Sequence, residues 1–529
     1  YRLRLKIPNM NHQLKNMKYL IWTFILAMVA FSATGQIAEK APLPSSGLKY
    51  QKKIPRKHLP AIDTSGQNEK RAQHGNKAYK FAYVHQVDIH PGNTGRWQSM
   101  PDGGRLWQAA IKAKGAHSLN FTFGSYRLPA GAKLFLYTPD KKDIAGAFTR
   151  RNNKLSEELA VRPLKGDEVI VEYYEPPDAE FHADLQITRI GHDYKNVFGS
   201  QNGASQFCEV NINCPEGDEW QLEKRAVAKI VIENSILCTG ALINNTKNNG
   251  TPYFYTANHC VGDSAAASNS VYFFNYESPN CDGSTGSLEQ SLSGASLKAT
   301  APGASQDFSL LQLSQTPPAA YAPFYAGWYR GSDAPASSVT IHHPSGDVKK
   351  ISIDNDPPTT ASFDDTYDQN THWLIHRWEV GATEGGSSGS PLFNEQHLII
   401  GDLTGGSADC ETPEVDYYAK LHSAWDDYNK PDEQLQHWLD PENTGVYTMQ
   451  GYNPYEDLHD YDVKVIGIAV PERNYCNTYT ITPKVKIQNR GLQTLSEVQI
   501  SYHYDDGDSR EYSWTGSLPS NQAVVLTLD

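Results

Sequence analysis

A chain of 529 residues, 39% hydrophobic and 20% charged, is too long for one core and fits roughly three or four domains, while a mean hydropathy of -0.56 excludes a membrane-embedded protein. Sixty acidic against 47 basic residues leave a net charge of -13, which excludes a nucleic-acid binder that relies on a basic surface to release phosphate counterions. Thirty Tyr, 10 Trp and 17 Phe exclude a disordered chain and supply strand-rich cores.

Residues 1–16 lack an initial Met and are expected to be an upstream leader of doubtful translation, with Met10 or Met17 as the start. Residues 17–35 have a signal-peptide layout: Lys18, an apolar run of about 14 residues that is short for a bilayer span, then Ala33-Thr34-Gly35, with cleavage expected before Gln36. Export permits disulfides. Residues 36–79 carry Pro42, Pro44, Pro55 and Pro60 with many Lys and Gln and no apolar period, which predicts a linker. Strand-like runs at 80–89, 118–123, 133–137 and 168–174, separated by turns such as Leu128-Pro129-Ala130-Gly131, predict a small β-rich domain over 80–190. A Gly, Ser and Asn stretch at 194–205 marks a boundary.

The next unit, 196–449, holds six of the seven cysteines and short strands throughout. It closes near 430–440, where Pro431 suits a first helical turn and Leu435, Trp438 and Leu439 share a face, so a C-terminal helix on a β-barrel core is expected. After a linker at 450–460, residues 461–529 alternate at Val463 and Val465, Val485 and Ile487, then Val498, Ile500, Tyr502 and Tyr504 before Asp505-Asp506-Gly507. That pattern predicts an immunoglobulin-like β-sandwich, cut short at Asp529. The fold class is therefore all-β.

Three short motifs stand in order in the cysteine-rich unit: Thr256-Ala257-Asn258-His259-Cys260, Asp307-Phe308-Ser309-Leu310-Leu311 and Gly385-Gly386-Ser387-Ser388-Gly389-Ser390-Pro391. A serine hydroxyl is a poor nucleophile at neutral pH; it needs a base to take its proton and a carboxylate to hold that base in the right tautomer. His259, Asp307 and Ser388 offer those roles at separations of 48 and 81 residues, near the roughly 45 and 90 of a His-Asp-Ser protease order. Backbone N–H groups of Gly386 and Ser388 would face a developing oxyanion. The competing parse Gly385-x-Ser387-x-Gly389 matches a nucleophile elbow, but the elbow needs a helix after the serine, and Pro391-Leu392-Phe393 and Leu398-Ile399-Ile400 read as strands.

Residues 208–449 resemble the bacterial lysyl endopeptidase family of trypsin-like, chymotrypsin-fold serine proteases. The resemblance rests on Cys208 to Cys214 with Pro215-Glu216-Gly217-Asp218, Thr239-Gly240, Asn244-Asn245-Thr246, Tyr255-Thr256-Ala257, Ala326-Gly327-Trp328, Ile341-His342-His343-Pro344 and Thr383-Glu384. It implies a double β-barrel, the triad His259, Asp307 and Ser388, and disulfides Cys208 to Cys410, Cys214 to Cys281 and Cys238 to Cys260; cysteine count alone leaves the pairing open. It also implies a specificity carboxylate at Asp416, since the trypsin position for it is Ala382. A buried Asp416 would exchange the lost solvation of a Lys ammonium for charge-assisted hydrogen bonds. The family's Leu-His-Gly-Gly segment reads Leu403-Thr404-Gly405-Gly406 here, which removes an imidazole expected near the triad. Residues 80–190 resemble the propeptides of this family, so 36–195 is expected to be a propeptide removed by self-cleavage after Lys195. Residues 461–529 resemble CARDB-type adhesion modules.

The expectation is a secreted monomeric serine endopeptidase that cuts protein or peptide substrates after Lys, held by its own propeptide before activation. It needs no cofactor or metal and has no nucleic-acid partner and no membrane span in the mature enzyme. Surface attachment through a region beyond residue 529 is a further expectation. Alternatives are a trypsin-like protease of other basic specificity and an adhesion protein that uses the fold as a scaffold. His342-His343, the His372 and His376 pair, and Asp364-Asp365 are read as structural rather than as zinc or calcium ligands. The seventh cysteine, Cys476, is left without a partner in this chain.

Overall fold

Runs of Val, Ile, Phe and Tyr bounded by Gly, Pro and Asp turns form strands, and among the described residues no helix exceeds six residues. The computed structural model describes residues 4–6, 38–39, 41–48, 53–63, 75–199, 205–301, 305–455, 461–470, 482–489, 491, 493–503, 509–519 and 522–528. The expected signal peptide, Tyr504 to Gly507 and Cys476 lie outside the described residues. Among the described residues no helix is long and apolar enough to cross a membrane.

The first unit spans residues 34–443 and 451–454. Its N-terminal part stacks two sheets. Strands Leu159–Lys165, Ser118–Arg127, Asp184–Asp193 and Ala82–Ile89 form one, and Arg56–His58, Arg105–Lys112, Glu168–Glu175, Lys133–Tyr137 and Ile144–Phe148 form the other, with Arg96–Ser99 beside Arg105–Lys112. Between them lie Trp107, Ile111, Phe121, Phe123, Leu134, Leu136, Val169, Val171, Ile187 and Ile190, all buried. Each such side chain stabilises the fold by about 1.5–3 kcal/mol before entropy is charged against it.

The polar leader is more ordered than its composition predicts. Arg56–His58 pairs in parallel with Arg105–Lys112, Leu43 and Leu59 are buried, and the Ser45 N–H donates to Glu172 Oε1 at 2.9 Å. Backbone pairing to an open sheet edge needs no apolar period, which is why the pattern missed it. The strand expected over 80–89 is also split. Phe81 drops its ring into a cluster with Phe198, Leu237 and Phe273, and Tyr79–Lys80 leaves the N-terminal sheets to pair with Ile236–Leu242.

The remainder of this unit is built on two mainly antiparallel sheets, in line with the expected two-barrel plan; the exception is Gly327–Tyr329, which runs parallel to Leu398–Gly406 in the second. The first runs Ser291–Ser293, Ser270–Phe274, Val227–Ile232, Ile236–Leu242, Tyr253–Thr256, Ser309–Leu313, Ala295–Thr300. In the second, Val210–Asn211, Lys350–Asp354, Ser338–His342, Pro391–Asn394, Leu398–Gly406, Glu414–Lys420, His372–Arg377 and Thr359–Ala361 follow in pairing order. The expected C-terminal helix is realised in short pieces, Leu421–Asp426, a 3-10 turn Pro431–Glu433 and Gln436–Leu439. Gln434 is extended between the last two, and its amide donates back to the Asp426 and Tyr428 carbonyls. Leu435 and Leu439 are nevertheless fully buried.

The second unit contains the C-terminal strands Val463–Val470, Lys484–Asn489, Leu495–Tyr502, Arg510–Leu518 and Ala523–Thr527. The alternating residues Val485, Ile487, Val498, Ile500 and Tyr502 all face its core.

Candidate active site

Strand register brings the first two motifs together. Thr256 pairs with Ser309 across antiparallel neighbours, so the residues just after Thr256 and just before Ser309 emerge at the same end of the sheet. His259 Nδ1 lies 2.7 Å from Asp307 Oδ2, and the His259 N–H donates to Asp307 Oδ1 at 2.9 Å. Burial alone would raise the Asp307 carboxyl; the charge and two hydrogen bonds of His259 outweigh it and hold Asp307 below its usual value. The Cys238–Cys260 disulfide ties the His259 turn to the strand Ile236–Leu242. Cys208–Cys410 and Cys214–Cys281 are also bonded, so all six cysteines of this unit are paired as the family resemblance implied.

Ser388 precedes the strand Pro391–Asn394, and its Oγ lies 2.7 Å from His259 Nε2. No helix follows it, which excludes the elbow parse. Gly386 has φ +99°, and a Cβ there would lie 2.8 Å from the His343 carbonyl, so the turn requires glycine. Its carbonyl accepts from Thr239 Oγ1 at 2.9 Å, and Thr239 N–H in turn donates to the Ser388 carbonyl at 2.8 Å. This frame leaves the Gly386 N–H pointing at the carbonyl oxygen of Lys77, to which it donates.

Asp416 sits on Glu414–Lys420, paired with Ile375 on one side and Gly406 on the other, and is fully buried. Its Oδ2 accepts from Trp378 Nε1 at 2.8 Å and from Thr383 Oγ1 at 2.6 Å. Its Oδ1 accepts from Lys77 Nζ at 2.6 Å. The Lys77 ammonium also donates to the carbonyls of Ala408 at 2.9 Å and Thr383 at 3.0 Å, and to Thr383 Oγ1. Ala382 is buried and uncharged, so Asp416 supplies the carboxylate beneath this ammonium.

Four participants were missed or misread in the sequence. Lys77 stood in a stretch read as linker. Thr383 and Trp378, which orient Asp416, carried no signal beyond the Thr383-Glu384 pair. His372, weighed only as a metal ligand, is buried with Nε2 3.2 Å from Thr404 Oγ1, and burial pushes it down to about 4. An imidazole from the strand His372–Arg377, one strand removed from that of Thr404, thus stands beside the position where the family's own imidazole is missing. Cys238, His259 and Cys260 lie close enough to suggest a metal set, but both sulfurs are committed to a disulfide; zinc has no place there.

An aspartate-oriented imidazole in contact with a serine hydroxyl, on a two-sheet scaffold with a glycine N–H donating to a carbonyl oxygen beside them, belongs to serine endopeptidases. Residues 202–419 match the family described as lysyl endopeptidase, C-terminal domain. The chain is 30% identical over 362 residues to the lysyl endopeptidase of Pseudomonas aeruginosa, a match covering 62% of this chain and 74% of that protein. The chain belongs to the lysyl endopeptidase family. Among solved structures, it resembles the Rv3671c protease (18% identical, TM-score 0.26, covering 37% of this chain and 84% of that one). It also resembles a Glu endopeptidase (14% identical, TM-score 0.25, covering 37% and 85%).

Proposed function

We propose that this serine endopeptidase cuts peptide bonds on the carboxyl side of Lys, with Ser388 as nucleophile, His259 as general base and then acid, and Asp307 holding the imidazole. Ser388 Oγ attacks the carbonyl carbon as His259 Nε2 takes its proton; the imidazolium that forms is stabilised by Asp307 and then protonates the leaving amine. Water repeats the sequence on the acyl-enzyme. The Gly386 N–H, with that of Ser388, receives the oxyanion, a contribution on the order of 3 kcal/mol per donor.

The Lys preference rests on one observation: an ammonium is accommodated at Asp416 with a carboxylate, two carbonyls and a hydroxyl as acceptors. A compact ammonium with three donors suits these acceptors converging on a point; the wider planar fork of Arg does not. The test compares kcat/KM on Lys and Arg esters, with Ser388→Ala as control. Faster turnover of Arg esters overturns the specificity, and no turnover by the correctly processed enzyme overturns the catalytic assignment.

We further read residues 17–35 as a signal peptide, 36–195 as a propeptide and 461–529 as a tethering module of a secreted monomer. Support for a propeptide that assists folding comes from the shared core of Phe81, Ala82 and Ala160 with Val231, Leu237 and Phe273. Maturation after Lys195 would proceed by a second molecule or after rearrangement, since the Lys195 ammonium lies over the Tyr79 ring at 5.7 Å, outside the Asp416 pocket. N-terminal sequencing of the fully matured secreted enzyme checks this; a final start upstream of residue 150 overturns it.

A further inference from the structure

We propose that the Lys77–Ala78 bond is a processing site that the enzyme cuts within its own chain, and that residues 75–80 occlude the active centre until it does; the proposal rests on the Lys-specific reading above. Four placements converge on this bond. Lys77 Nζ lies on Asp416 at 2.6 Å. The Lys77 carbonyl oxygen accepts from the Gly386 N–H. On the upstream side Asn76 pairs antiparallel with Gly405, and a Cβ at Gly405 would run into the Gly75 carbonyl. On the downstream side Tyr79 and Lys80 pair antiparallel with Leu237 and Ile236.

An extended strand gripped by backbone pairing on both sides, with its side chain in the charged pocket and its carbonyl at the oxyanion donor, holds the intervening peptide bond as a substrate is held. The neighbouring leader lysine Lys57, by contrast, is exposed. Burying an ammonium from a leader is costly unless every donor is matched; at Lys77 they are.

The reaction is a hydrolysis with water as the co-reactant. Ser388 Oγ bonds to the Lys77 carbonyl carbon while its proton passes to His259 Nε2. The bond to the Ala78 nitrogen then breaks as that nitrogen receives the proton. Water, deprotonated by His259, opens the ester, leaves Lys77 with a free carboxylate and returns the proton to Ser388. Because the bond is tethered in the site, its cleavage is first-order in protein.

The test follows freshly produced full-length chain over time by intact mass and N-terminal sequencing at several protein concentrations, with Lys- and Arg-ester turnover measured in parallel. The expected result is a new N-terminus at Ala78, formed with a half-time independent of protein concentration and absent from Ser388→Ala. Lys77→Gln should lose that terminus; the wild-type terminus itself is decisive should this variant fail to fold. A wild-type chain that turns over Lys esters but never yields the Ala78 terminus overturns the processing site alone. A half-time that shortens as protein concentration rises overturns cleavage within the chain. Arg-ester preference with the Ala78 terminus present overturns the Lys reading and leaves the processing site standing; absence of both activities overturns both.

Discussion

Asp416→Asn isolates the charge in the pocket with little change of shape. The amide oxygen still accepts from Trp378 Nε1, but a bound Lys ammonium loses the carboxylate that approaches it at 2.6 Å and keeps only neutral acceptors. Removing one member of a buried ion pair costs about 3–5 kcal/mol, and each 1.36 kcal/mol is tenfold in rate. The expected fall in kcat/KM for Lys esters is therefore about two to nearly four orders of magnitude. Much of it should appear in KM, because the pair forms in the ground state as well as in the transition state. An ester with a neutral, unbranched side chain at the same position controls for the catalytic groups and should change less than about threefold. A Lys-ester loss below tenfold, or an equal loss on the neutral ester, refutes the electrostatic account of specificity.

Gly386→Ala should lower kcat by about 10²–10³ with a smaller effect on KM, because φ +99° and the 2.8 Å approach to the His343 carbonyl force the donor N–H off its target; unchanged kcat would remove Gly386 from the oxyanion role. His372 makes stability depend on pH. Its folded-state value of about 4 lies below the usual 6.5, so the unfolded chain takes up a proton first, and up to about 3 kcal/mol is lost as pH falls from 6.5 to 4. Urea midpoints at pH 7 and pH 5 should therefore diverge, and less so in His372→Gln; equal slopes would refute this. Cys238→Ser with Cys260→Ser opens a loop of 22 residues in sequence separation and should cost about 3 kcal/mol of stability. Ester turnover should drop as well, since the His259 turn loses its tie; denaturant midpoints and turnover of the matured double variant check both.

Much of the architecture was legible locally. Strand and turn composition located Lys133–Tyr137 and Glu168–Glu175 to within a residue, and the alternation at Val485, Ile487, Val498 and Ile500 identified the buried face of the C-terminal sheets. Short motifs in order pointed to His259, Asp307 and Ser388, because nucleophilic chemistry restricts residue type and the glycine-rich turn restricts its neighbours. Asp416 needed the family resemblance, since a lone Asp in a strand-like run has no local mark.

What the sequence by itself determined, then, was the set of side chains able to do the chemistry and the strands that carry them, because period, turn residues and reactive groups are properties of a few adjacent positions. The tertiary structure alone decided which distant groups complete the site. Lys77 meets Asp416 across 339 residues of chain, His372 meets Thr404 from another strand, and Phe81 diverts Tyr79–Lys80 onto Ile236–Leu242. Those contacts depend on backbone edges left open and on buried acceptors left unmatched elsewhere in the fold, and neither is written in the residues on either side of Lys77.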